Sequence, residues 1–198
     1  MNMKRTFGTL TLADAMQMIP ADRFVSWSPH AAPHAPSEIL LENFRRFKAF
    51  DLESTEAAKL LLIDALLAEV VPCYPLLKVW KAMPLESETL SGIADYLISP
   101  DFAFVKAPLL CAVEAKRDDF VQGATQCVGE MVACRSNNQQ AGVDSDVYGV
   151  VSNGQSWQFY RLTPAGTIYQ TTQYALSNLP ELLGQIHAVC AACAANVP

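Results

Sequence analysis

Asp95, Glu114 and Lys116 are the residues of this chain whose types and spacing carry chemistry. Glu114 and Lys116 fall in "PLLCAVEAKRDDF", an apolar run that ends in charge. An extended strand points alternate side chains to opposite faces. Leu110, Ala112, Glu114 and Lys116 therefore share one face, and Leu109, Cys111, Val113 and Ala115 the other. Asp95 stands in a similar setting in "LSGIADYLIS", with Ile93 and Leu97 expected on its own face and Ala94, Tyr96 and Ile98 opposite. A carboxylate inside a strand needs a partner or a metal, because an isolated buried charge is strongly unfavourable. Pairing the two strands as a hairpin brings Asp95 beside Glu114.

Two carboxylates and a lysine at one sheet edge suit a divalent cation and a phosphodiester. The carboxylates bind Mg²⁺ (or Mn²⁺), which activates a water and neutralises developing charge, and the lysine positions that water or stabilises the transition state. Lys116 also limits repulsion between the acids when no cation is bound. The same residues suit a salt-bridged strand end without chemistry, and spacing alone leaves both readings open.

The surrounding pattern shows which elements must carry these residues. Thr11 and Asp14 predict a short helix that stops at Pro20. The stretch from Pro20 to Pro36, with four prolines, reads as an irregular arm laid over the domain by Phe24 and Trp27. His30 and His34 are read as loop histidines, since Pro29 and Pro33 oppose a helix. Helices are predicted over Ser37–Phe47 and, after Ser54, up to Pro72. Strands over Tyr74–Met83, Thr89–Ile98 and Leu109–Lys116 have connections too short for a helical crossover and predict an antiparallel meander. A helix from Phe120 to Arg135 follows, then "DVYGVVSN" as a buried strand, "GQSWQFYRL" as its hairpin partner, "GTIYQ" as a short edge strand, and a closing helix capped at Ser177 or Asn178. The expected fold class is α/β: a mixed sheet made of an antiparallel meander, a crossover helix and a returning strand, flanked by helices. Residues 1–36 form the packed arm and 37–198 the domain.

Asp95 followed by Glu114-Ala115-Lys116 resembles the PD-(D/E)XK nuclease motif, with Ala94 where the motif has its often-replaced proline. The likeness is greater still to the N-terminal nuclease domain of type I restriction enzyme motor subunits. There an "EAK" strand leads into a helix bearing a glutamine, matched by Gln126, and then into a strand ending in "NG" with an aromatic soon after, matched by Asn153, Gly154 and Trp157. A helix glutamate before the sheet is matched by Glu56. The resemblance covers about Ser54 to Leu162 and implies a restriction-endonuclease-like fold with Asp95, Glu114 and Glu56 as metal ligands, Lys116 as the catalytic lysine and Gln126 as an orienting group. It implies a Mg²⁺- or Mn²⁺-dependent nuclease, or, as the alternative, a non-catalytic interaction module that keeps the fold. No P-loop or helicase-like segment accompanies it, which points to a free-standing relative.

Composition bounds these readings. The 198 residues are 51% apolar and 17% charged, with a net charge of -6. That charge counts against strong autonomous duplex binding, since phosphate contacts supply most of such affinity. Nucleic acid, DNA ahead of RNA, is expected to bind weakly to the chain alone, with a second copy or a partner protein as a further expected contact. Arg45, Arg46, Lys48, Lys78, Lys81, Lys106 and Arg117 are scattered, with Lys78 and Lys81 flanking the predicted sheet. No apolar run reaches the roughly 20 residues of a membrane span and the N-terminus does not resemble a secretory signal, so a cytoplasmic location and no membrane contact are expected. Six cysteines, including Cys190 and Cys193 as C-x-x-C, lie mostly inside apolar segments that suit buried packing thiols. Gln122, Gln126 and Glu130 share a helical stripe that reads equally as a solvated face, and Asp64 and Glu69 are expected to be exposed.

Overall fold

Short polar side chains set where the helices begin. Thr11 Oγ1 accepts from the Asp14 N–H (3.1 Å) while the Asp14 carboxylate accepts from the Thr11 N–H (3.1 Å), a reciprocal cap. Ser37, Thr55 and Asp119 each accept from the N–H three residues on, at 3.1, 3.1 and 2.9 Å. The last helix starts instead with Pro180 in its first turn, where no N–H is required.

The structure, a computed structural model, describes residues 4–29, 31–52, 54–116 and 119–197. In chain order it contains β1 (Arg5–Thr6), α1 (Leu12–Gln17), β2 (Val25–Ser26), α2 (Glu38–Phe47), α3 (Glu56–Val70), β3 (Leu77–Glu86), β4 (Leu90–Pro100), β5 (Cys111–Ala115), α4 (Phe120–Gln140), β6 (Val147–Ser152), β7 (Ser156–Leu162), β8 (Ile168–Gln170), β9 (Tyr174–Ala175) and α5 (Leu179–Ala195). The strands join in one mixed sheet in which β3, β4 and β5 are an antiparallel meander and β6 returns parallel to β5 after α4. β7 and β8 continue antiparallel from β6. Helices cover both faces.

One face packs Ile63 and Leu66 of α3 and Leu182 and Ile186 of α5 against Val113, Trp157 and Phe159. The other packs Cys127 and Met131 of α4, with Phe7 and Leu10 from the N-terminal segment, against Leu97, Ala112 and Val151. α4 lies very close to β6: a Cβ on Gly149 would stand 2.4 Å from the Met131 sulfur and 2.7 Å from that of Cys127.

Three details of the elements differ from the sequence expectations. The first meander strand starts at Leu77, because the chain after Pro72 first closes a turn in which Leu77 N–H donates to Tyr74 O (2.9 Å). α4 runs to Gln140, five residues beyond Arg135; Asn138 near its end accepts from Leu109 N–H (2.7 Å) and donates to Leu109 O (2.9 Å). β8 is not an edge, since β2 from the proline-rich arm pairs with it in parallel. His34 is an exposed loop histidine as expected, with its ring centroid 4.0 Å from that of His187, while His30 lies outside the described residues.

Candidate active site

β5 delivers Glu114 and Lys116 as its period of two requires. Glu114 is 2% exposed, on the α4 side of the sheet, and Lys116 Nζ stands 2.7 Å from Glu114 Oε1. The backbone continues past the strand, with Lys116 N–H donating to Ser152 O of β6 at 2.9 Å, so both strands hold the lysine at the sheet's end. The methylene stem of Lys116 packs over Gly123 of α4, where a Cβ would meet Lys116 Cγ at 2.9 Å.

Asp95 arrives by a less regular route. The β4–β5 ladder ends at the pair Tyr96–Val113, and beyond it the Ala115 N–H donates to Asp95 Oδ2 (2.8 Å) in place of a backbone partner. On the other side of β4, the pairs Lys81–Tyr96 and Met83–Ala94 bracket Ala82, whose φ of 52° is a strained left-handed conformation for a residue with a Cβ. The strand's alternation slips here: Ala94 and Leu97 enter the same core, and Ile93, expected to share Asp95's face inside, is 65% exposed. The kink leaves Asp95 half-buried and level with Glu114.

A third carboxyl group completes the cluster. Glu130 of α4 is fully buried at 0% exposure, and neither of its oxygens meets a donor among the described residues. The solvated face read for Gln122, Gln126 and Glu130 is thus overturned for Glu130, because this side of α4 turns toward Glu114 of β5. Its neighbour is Glu114, itself an acceptor when ionised, so the two bond only when one is protonated. Burial, then the Glu114 charge, push the Glu130 carboxyl well above its ordinary range. Burial, then the Asp95 charge, raise Glu114, against the opposing pull of Lys116. Of the two, Glu130 is therefore the carboxyl that keeps its proton.

Gln126 is half-buried on α4, three residues after Gly123 and four before Glu130, hence on the helical sector that carries both. Glu56 opens α3, and its side chain lies outside the described residues, as do Arg117 and Asp118. Asn153 and Gly154 make the β6–β7 turn: Asn153 Oδ1 accepts from the Gln155 and Ser156 N–H groups (3.1 and 2.8 Å), and Gly154 takes φ +83°.

Other charged residues are engaged elsewhere. Asp64 accepts from Tyr96 OH (2.8 Å) and Lys81 Nζ (2.6 Å), Glu69 accepts from Ser37 Oγ and N–H (2.7 Å each), and Lys78 pairs with Asp101 (3.0 Å). Asp64 and Glu69 are half-buried rather than exposed for that reason. Cys190 and Cys193 are buried free thiols, the former pushed up to about 12 by burial and the latter well up, so neither is a thiolate near neutral pH.

Among the described residues no three His, Cys, Asp or Glu side chains are gathered as a metal-binding cluster, and no helix is long and apolar enough to cross a membrane. No protein-family model matches the chain, and no curated protein matches it in sequence.

Proposed function

We propose that the chain is a metal-dependent nuclease of the PD-(D/E)XK kind, hydrolysing nucleic-acid phosphodiesters. One observation carries the reading: the Ala115 N–H holds the Asp95 carboxylate next to Glu114, and Lys116 is ion-paired to Glu114, so two acids and one lysine from adjacent strands meet at one sheet end. The meander, the helix and the parallel returning strand support it, because they are the elements a restriction-endonuclease-like core uses.

The donor set fits a hard cation. Mg²⁺ keeps several waters and asks for only one or two protein carboxylates, which Asp95 and Glu114 provide. Burial, then the Asp95 charge, raise Glu114 even against the pull of Lys116, which marks a pair of acids with more negative charge than the lysine alone offsets. When bound, the cation supplies Lewis-acid charge stabilisation and a more acidic water. Asp95 and Glu114 would hold it, with Glu56 as a third ligand, and Gln126 would orient the substrate strand. Lys116 orients the attacking water and offsets the charge that develops on the phosphate. Its stem is wedged against Gly123, which limits the positions its ammonium explores.

Added Mg²⁺ or Mn²⁺ tests the metal claim by its effect on stability. Cation at about a hundredfold over Kd stabilises by ~2.7 kcal/mol, a rise of about 5–10 °C in melting temperature for a domain of this size. Asp95→Asn removes the rise. Wild type and Asp95→Asn responding alike would overturn the metal site and leave the interaction-module reading.

A further inference from the structure

The α2–α3 corner carries an aromatic and cationic cleft that the catalytic residues do not use. The sequence "NFRRFKAFD" places Phe44, Phe47 and Phe50 among Arg45, Arg46 and Lys48. Their rings form a stepped series, with centroids 6.5 Å apart for Phe44–Phe47 and 6.3 Å for Phe47–Phe50, the second pair edge to face. Phe50 is 60% exposed, an unusual state for a phenylalanine already touching a second ring. Phe44, Phe47, Lys48, Phe50 and Asp51 line a cleft of about 370 Å³ together with Leu62 and Gln155, and Arg45 and Arg46 stand beside it in sequence.

Gln155 connects this cleft to the proposed cutting site. Lys116 N–H donates to Ser152 O (2.9 Å), the Gly154 N–H donates to Ser152 Oγ (2.9 Å), and the next residue is Gln155. The cleft and the Glu114–Lys116 pair therefore lie at the same end of β5 and β6, joined through one turn.

We infer that the cleft lined by Phe44, Phe47 and Phe50 binds single-stranded nucleic acid, with bases stacking on the phenylalanines and Arg45, Arg46 and Lys48 meeting the phosphates. The inference deepens the nuclease reading and rests on it for the role of the nearby acids. Phe50 is exposed and Phe44 and Phe47 are half-buried against the core, and aromatics interleaved with cations in this way suit the stacking-and-phosphate platform of sequence-tolerant strand binding. A duplex buries its base faces in its own stack, so a protruding ring discriminates for unpaired bases. The three cations are concentrated here in a chain whose net charge is -6. Glu42 now pairs with Arg45 (2.7 Å) and Arg46 (2.8 Å), but all these groups are solvent-accessible, and such exposed pairs are weak enough to be exchanged for phosphates.

Anisotropy of a fluorescein-labelled fifteen-nucleotide oligo(dT), in EDTA at low salt, tests this without cleavage. Wild type binds the single strand more tightly than a duplex of equal length, and Phe50→Ala weakens binding by about tenfold with its circular dichroism unchanged. Arg46→Gln with Lys48→Gln lowers the salt slope by about 0.7 for each phosphate that the variant no longer neutralises. Equal binding by wild type and Phe50→Ala, or tighter binding of the duplex, overturns the inference. The two proposals fail separately. A wild type that cuts while Phe50→Ala binds undiminished refutes only the cleft, whereas loss of binding in Phe50→Ala with no cutting by wild type refutes only the nuclease.

Discussion

Replacing Glu130 with glutamine removes a proton requirement and keeps the shape. In the fold the carboxyl has no donor and faces Glu114, so it stays protonated; its ordinary value is 4.5, so the unfolded chain has already lost that proton at neutral pH. A raised carboxyl gives the folded state more bound protons than the unfolded state, so wild-type stability falls as pH rises above 4.5, by up to ~1.4 kcal/mol per pH unit while Glu130 alone differs. A glutamine amide donates to Glu114 at every pH and carries no such dependence. Accumulated from pH 4.5 upward, that slope makes Glu130→Gln more stable than wild type by up to about 3 kcal/mol at pH 7, by more at pH 8, and by little near pH 5. Urea unfolding of both proteins across pH 5–8 measures the difference directly. Parallel profiles, or a variant less stable than wild type at pH 8, would refute the assignment of a protonated Glu130 beside Glu114.

Gly123→Ala adds a Cβ 2.7 Å from Val151 Cγ1 and 2.9 Å from Lys116 Cγ, which displaces the lysine stem while α4 itself gains helix propensity. Oligonucleotide cleavage should fall by about tenfold or more with little change in circular dichroism; unchanged cleavage would mean that Lys116 is not held by this contact. Asn138→Leu leaves the buried N–H and C=O of Leu109 without their side-chain partners, at 2.7 and 2.9 Å in the wild type, and should cost about 2–5 kcal/mol in urea unfolding. A loss below about 1 kcal/mol would show that these bonds do not anchor the entry to β5.

The parts of the site that follow from local geometry were legible in the sequence. Glu114 and Lys116 share a face because strands alternate, and Asp95 comes near Glu114 because the connection between their strands permits only a hairpin. The slip at Asp95 was not legible. It depends on Ala82 taking a positive φ, and alanine gives no hint of that conformation. Glu130 was hidden for a different reason. Counted from Gln122 and Gln126 it extends a polar stripe, but counted from Gly123, Cys127 and Cys134 it belongs to the small-residue sector that packs on β5 and β6. What decides between the two is how α4 rolls onto the sheet, with Gly123 against Val151 and Lys116 and Glu130 toward Glu114, while the other side at Gly129 meets Leu10 and Phe7 from more than a hundred residues away in the chain. The same long-range pairing hides β8 behind β2. The aromatic cleft fell between these cases: its phenylalanines and cations stand together in sequence, yet their placement at the catalytic end of the sheet required the β6–β7 turn to be located.

The most direct measurement is the rate at which wild type and Lys116→Ala cleave single-stranded and duplex oligonucleotides of DNA and RNA, in Mn²⁺ or Mg²⁺ at low salt, where weak phosphate contacts are strongest. The proposed site predicts that wild type cuts at least one substrate, that EDTA stops it, and that Lys116→Ala, folded as wild type is, cuts it about a hundredfold more slowly. No cleavage of any substrate by wild type, or cleavage that Lys116→Ala retains in full, would contradict the account and leave the Asp95, Glu114 and Lys116 cluster as a structural feature of the sheet end.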